Sequence, residues 1–155
     1  MAGKCDHTSV GMLVWKEGRL LLIERMKFPF GFAPPAGHVD GDSSFEIAAK
    51  RELEEEVGLE TKEMNLRIKG RMENKCRRKD GSWHYWKIYE MEVTGELKRS
   101  ESETKKAGFF SLEEIKTLAK KTEKYLKKEI SDSDWGKSPG IETVWFEWFK
   151  KLGII

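Results

Sequence analysis

Apolar positions along the chain change period several times, and each change marks an element. From Ser9 to Met26 two β-rich runs, SVGMLVWK and RLLLIERM, flank Glu17-Gly18 and predict a hairpin. A loop rich in Pro and Phe follows over Lys27 to Gly37. Phe45 to Val57 predicts a helix: Ser43 or Ser44 can cap its first amides, and Gly58 stands where helices commonly end. Met64, Leu66, Ile68, Gly70 and Met72 then alternate with Asn65, Arg67, Lys69, Arg71 and Glu73, the period of a half-buried strand. Asp80-Gly81 lies in the turn before a second long strand, Trp83 to Val93. The middle of that strand is apolar on both faces, which places it inside a sheet.

Gly108-Phe109-Phe110 predicts a short strand. A helix is expected from Leu112 to Ile130, with Ile115, Leu118, Ala119, Tyr125 and Leu126 on one stripe. Pro139-Gly140 opens a last helix whose stripe is Ile141, Val144, Trp145, Trp148, Phe149 and Leu152. No repeat, linker or low-complexity tract interrupts the pattern, so residues 1–155 read as one mixed α and β domain.

Composition adds exclusions. Six Trp and eight Phe among 155 residues supply a core and argue against disorder. With 29 basic and 27 acidic residues the net charge is +2, so any electrostatic function must come from a local cluster. No segment approaches the roughly 20 apolar residues of a membrane span, and Met1 to Val10 lacks a signal-peptide layout. A cytoplasmic protein without membrane attachment is expected. Cys5 and Cys76 offer neither a disulfide framework nor metal-ligand spacing, and read as two reduced thiols.

One cluster stands out. The last turns of the Phe45 to Val57 helix carry Glu52, Glu54, Glu55 and Glu56. Carboxylates there oppose the helix dipole by a few tenths to about 1 kcal/mol each, and like charges at i,i+3 and i,i+4 add a similar penalty. Glu52, Glu55 and Glu56 share one face, beside Ala48 and Ala49; Glu54 points elsewhere. Two readings stay open on spacing alone: a solvated acidic face, or carboxylates sharing a hard cation such as Mg²⁺ at a phosphate-chemistry site.

Gly37, Arg51, Glu52, Leu53, Glu55, Glu56, Gly58 and Leu59 fall at the offsets of Gly-x5-Glu-x7-Arg-Glu-U-x-Glu-Glu-x-Gly-U, where U is aliphatic. This resembles the Nudix box, and the chain is similar to MutT-like Nudix hydrolases from about Ser9 to Ile115. The pattern's first Glu is Ser43 here, with Asp42 one residue earlier, as if the loop were shifted by one. That departure bears on the local scaffold and on catalytic efficiency.

The resemblance implies an α/β/α sandwich with a mixed sheet, the box forming a loop–helix–loop, plus extra C-terminal helices. It implies hydrolysis of a diphosphate linkage in a nucleoside diphosphate joined to another group, with Mg²⁺ (or Mn²⁺) as cofactor. Gly37, Glu52, Glu55 and Glu56 would be metal ligands, and Arg51 would hold a box carboxylate in place. The general base stays open among Glu55, Glu56 and Glu103. Arg25 is the candidate phosphate contact; Phe32 and Trp86 are candidate stacking rings, as are Phe30 and Trp83, although core packing is the plainer reading of each ring. His38 reads as structural.

The implied partner is a small-molecule nucleotide, with homodimerisation open. Two other functions are weighed: a catalytically silent Nudix-like binding domain, suggested by Ser43, and RNA contact through Lys75, Arg77, Arg78 and Lys79 beside Trp83 and Tyr85. The near-zero net charge disfavours nucleic acid, and such a tip is usually solvated charge.

Overall fold

The structure, a computed structural model, describes residues 3–155. Its strands are β1 (Thr8–Leu13), β2 (Trp15–Lys16), β3 (Arg19–Arg25), β4 (Phe32–Ala33), β5 (Ala36–Gly37), β6 (Glu60–Glu73), β7 (Trp83–Thr94) and β8 (Thr104–Phe110). Its helices are α1 (Phe45–Val57), α2 (Leu112–Leu126), α3 (Asp132–Lys137) and α4 (Thr143–Lys151). A mixed sheet runs β5-β1-β7-β6, with β1 and β7 parallel. In a second, antiparallel sheet β3 pairs with β2, β4 and β8.

Period-two alternation divides the sheet residues between two cores. Val10, Met12, Leu21, Ile23, Tyr89 and Met91 face α1, where Ala48, Ala49, Leu53 and Val57 complete the packing. Leu13, Leu20, Leu22, Trp86 and Ile88 face α2 and α4, against Ile115, Trp145, Trp148 and Phe149. Helices thus cover both faces, giving the expected α/β/α sandwich. Coverage on both sides also explains why Leu20 to Ile23 is an unbroken apolar run.

Several boundaries differ from expectation: β6 begins at Glu60, β8 at Thr104 and α4 at Thr143, and two differences change the topology. The opening hairpin is split at Val14: β1 joins the mixed sheet through β7, and only Trp15 and Lys16 fold back on β3. Glu17 and Gly18, at φ 53° and 75°, make the tight turn. The Leu112 to Ile130 helix stops at Leu126, with Lys128 at φ 63°, and the short α3 follows. At its start Ser111 and Glu114 cap each other's amides reciprocally, which fixes where α2 begins. Among the described residues no helix is long and apolar enough to cross a membrane.

Cys5 and Cys76 are distant in sequence yet adjacent in space, with His38 and His84 between them. Both are free thiols, as expected, but their proximity is something their spacing in sequence does not show. The alternation in β6 and the β6–β7 turn bring Cys76 back over the N-terminal segment, where Cys5 N–H donates to Lys79 O at 2.9 Å.

Candidate active site

Helix α1 ends as its composition predicts, with Gly58 at φ 71° donating its N–H to Glu54 O. Its last carbonyls are then taken by a neighbouring loop: Lys98 N–H bonds Val57 O at 2.8 Å and Ser100 N–H bonds Glu56 O at 2.7 Å. A tight turn follows, in which Thr104 N–H and Oγ1 both donate to Ser100 O. These bonds carry Glu103 to the acidic end of α1, just before β8. Met26 N–H donates to Glu103 O at 3.1 Å, which sets it beside Arg25.

The result is one cleft lined by Arg25, Gly37, Glu52, Glu56, Glu103 and Glu142. A Cβ on Gly37 would lie 2.5 Å from both Cγ and Oε1 of Glu52, so glycine is what lets that carboxylate fold against β5. Glu56 is 4% exposed, and its Oε2 has no hydrogen-bond partner. Burial, reinforced by the Glu52 and Glu103 charges, holds Glu56 well above the usual carboxylate range against the pull of Arg25. Burial likewise pushes Glu52 up to about 7, although Arg51 opposes it. The unbonded Glu56 oxygen beside the Glu52 carboxylate is the kind of buried oxygen donor that a hard divalent metal suits.

Arg51 stands behind the cleft and ties the box together. Its Nε donates to Asp42 Oδ2 at 2.8 Å, and its Nη1 donates to Glu52 Oε1 at 2.8 Å and Glu55 Oε2 at 3.3 Å. Its Nη2 donates to His38 O at 3.1 Å. Asp42 thus occupies a bracing place in the loop that Ser43 leaves, and Ser44 caps α1 by accepting from Ile47 N–H. The Glu55 side chain remains 55% exposed at the rim, held by Arg51, and does not line the cleft.

The candidate substrate contacts separate. Arg25 lines the cleft, with its Nε unbonded and 3.9 Å from Glu142 Oε2. Trp86 also lines it but is a buried wall: Nε1 donates to Asn74 Oδ1 at 3.1 Å, and the ring packs edge-on to Trp145 and Trp148. Neither face of Trp86 is free to stack. Phe32 does not reach the cleft; it is buried in β4, edge-on to Phe110, with its backbone bonded to Gly140 and Glu142. The stacking role expected for Phe32 is thereby corrected, because the Pro- and Phe-rich loop runs into the core at β4.

Several residues enter the site unannounced. Glu142 is fully buried at the start of α4, and desolvation pushes it up to about 7. Its only signal in sequence is a lone charge among apolar residues. Lys27, Lys75, Arg77 and Arg78 border the cleft, so the basic hairpin tip, with Lys75 and Arg77 exposed, stands beside the acidic pocket. Trp145 Nε1 is buried, unbonded and part of the lining residue's indole. A second groove shares Pro29, Asn74, Lys75 and Glu142 with the cleft and adds Phe28, Phe30, Tyr125 and Trp135.

A family model described as NUDIX domain matches residues 6–131. The chain belongs to this family. This Nudix protein is accordingly a hydrolase of the class that cleaves pyrophosphate bonds in nucleoside diphosphate derivatives. Its fold is similar to that of MutT protein from Methanosarcina mazei Go1, at TM-score 0.65 and 20% identity over 97% of this chain and 94% of that one. A MutT NUDIX hydrolase from Burkholderia pseudomallei aligns at TM-score 0.61 and 24% identity, covering 73% and 86%. A C. elegans Ap4A hydrolase aligns at TM-score 0.54 and 18% identity, covering 75% and 89%. Comparison with curated protein sequences gave no match.

Proposed function

We propose that this Nudix hydrolase is a Mg²⁺-dependent pyrophosphohydrolase, with Mn²⁺ able to substitute, acting on a small nucleotide or nucleotide derivative. The observation that carries the reading is Glu56, a buried carboxylate with an unbonded oxygen that shares its cleft with Glu52 and Glu103. Glu52, Glu56 and the Gly37 carbonyl would hold the ion, with Glu55 joining from the rim. When bound, the ion neutralises diphosphate oxygens and lowers the pKa of an attacking water.

The chain's own residues do the rest. Arg51 fixes the Glu52 and Glu55 carboxylates by a branched set of charge-assisted bonds. The water proton would pass to Glu56 or Glu103, which line the cleft, or to Glu55 at its rim. Arg25 and the rim of Lys27, Lys75, Arg77 and Arg78 attract and orient a polyphosphate. The adjoining groove, with Phe28, Phe30 and Trp135, suits a nucleoside, since an aromatic lining stacks any base.

The silent-domain alternative rested on Ser43, and the Asp42–Arg51 bond weighs against it. Incubation with nucleoside triphosphates, dinucleoside polyphosphates and nucleotide sugars plus Mg²⁺ tests the reading. Mg²⁺-dependent release of a nucleoside phosphate is expected. Tight binding without turnover of any of them would favour the silent domain.

A further inference from the structure

We propose that Cys5, His38, Cys76 and His84 form a structural zinc site that pins the N-terminal segment and the β6–β7 turn to the loop leading into α1. One ligand atom from each of the four residues lies within 4.8 Å of all the others. Cys5 Sγ is 3.3 Å from His84 Nε2 and 3.7 Å from His38 Nε2. In a tetrahedral site with ordinary Zn–S and Zn–N bonds, a sulfur and a nitrogen stand roughly 3.5 Å apart. The side chains therefore need little movement to close on one ion.

The donor set selects the metal. Two thiolates and two imidazoles are the tetrahedral, borderline-soft combination of structural zinc, whereas Mg²⁺ requires oxygen. All four positions are filled by protein, as in a closed structural site rather than a catalytic one. Two thiolates with two neutral imidazoles also cancel the ion's charge. That neutrality suits a place where Cys5 and His84 are 4% and 1% exposed. Each thiol gives up its proton to solvent as the metal binds.

Backbone geometry supports both sulfurs. His7 N–H donates to Cys5 Sγ at 3.3 Å and Arg78 N–H donates to Cys76 Sγ at 3.4 Å, the same two-residue turn at each cysteine. Gly81 closes over the pair: a Cβ there would overlap Cys76 Sγ and lie 3.5 Å from Cys5 Cβ. Around this centre Asp6 accepts from Thr8 and from Asp40 N–H, and Arg78 pairs with Asp40. His38 links the two sites, because its carbonyl accepts from Arg51. The clamp thus steadies both the Gly37-His38 backbone and the basic rim.

The test uses the full chain and reads metal, not turnover, so it stands or falls separately from the hydrolase assignment. Protein purified from zinc-supplemented culture should hold about one zinc per chain by elemental analysis, and zinc-free protein should regain its lost thermal stability on zinc addition. Cobalt added to zinc-free wild type should give tetrahedral ligand-field bands and a thiolate charge-transfer band that zinc then abolishes. Cys76→Ser should lose stoichiometric zinc and weaken the charge-transfer band, while Glu56→Gln should keep both. The cobalt spectrum of wild type decides the matter even where the serine variant folds poorly. The proposal is overturned by wild type that neither retains zinc nor gives that spectrum. Equal zinc content in Cys76→Ser would overturn it too.

Discussion

Gly37 and Glu52 occupy each other's space: the Glu52 carboxylate lies where any side chain on Gly37 would have to be. The glycine of the box is thus a steric requirement of the cleft, imposed by one specific carboxylate. Gly37→Ala should leave the fold intact, because Glu52 can swing outward, but displace a proposed metal ligand. Misplacement of that kind costs about 100-fold in rate. A loss of that size in kcat with a near-unchanged melting temperature is expected; unaltered kcat would mean that Glu52 does not work from this position.

Arg51 joins three carboxylates and a carbonyl through one planar guanidinium, a task that an ammonium cannot copy. Its side chain is 31% exposed, so each ion pair is worth only about 0.2–1 kcal/mol. Arg51→Lys should therefore lower stability by roughly 1–2 kcal/mol in denaturant unfolding. Its larger effect should be on kcat, as Glu52 and Glu55 lose their bracing. Equal kcat in Arg51→Lys and wild type would reduce Arg51 to a surface pair.

Glu142 supplies a pH dependence. Burial raises its folded pKa to about 7, above that of the unfolded chain, so the native state favours the protonated form. Below about pH 4.5 both states are protonated and stability is unaffected. As pH rises towards 7 the unfolded state ionises first, and stability falls by about 3 kcal/mol before levelling off. Glu142→Gln removes this loss. Unfolding free energies measured from pH 4 to 8 should diverge in favour of the variant as pH rises; parallel curves would contradict a buried, titrating Glu142.

Mg²⁺ should stabilise the protein by filling the cleft. At 100 times its dissociation constant, a ligand specific for the native state adds about 2.7 kcal/mol. Thermal unfolding in zinc-replete protein should show a rise in melting temperature with Mg²⁺ that is much smaller in Glu52→Gln. An equal rise in both would place the ion elsewhere.

The carboxylate helix was legible in sequence because its chemistry fixes residue types at fixed offsets, and α1 runs from Phe45 to Val57 as expected. Arg51, Glu52, Glu56, Gly37 and Arg25 converge, and Glu103 joins them through the loop that caps α1. What escaped depends on contacts between distant segments. The split at Val14 is hidden because both sheets are covered on both faces, so the apolar run shows no break. Phe32 resembled a stacking ring until β4 tied it to Ile141. Cys5, His38, Cys76 and His84 come from separate segments, so no local ligand spacing betrays them. The basic tip is largely exposed, as read, but nothing in its own composition says that the β6–β7 turn brings it beside the cleft.

The central claim is that the buried end of α1 hydrolyses diphosphates through a bound divalent ion, and Glu56 is its most direct probe. Mg²⁺-dependent turnover should be measured for wild type and Glu56→Gln on the same panel of nucleoside triphosphates, dinucleoside polyphosphates and nucleotide sugars. Folded wild type should release a nucleoside phosphate from at least one of them. The variant should be about 100- to 1,000-fold slower, the scale of losing a group that stabilises developing charge. Wild-type protein inert towards the whole panel, or a variant as active as wild type, would contradict the account.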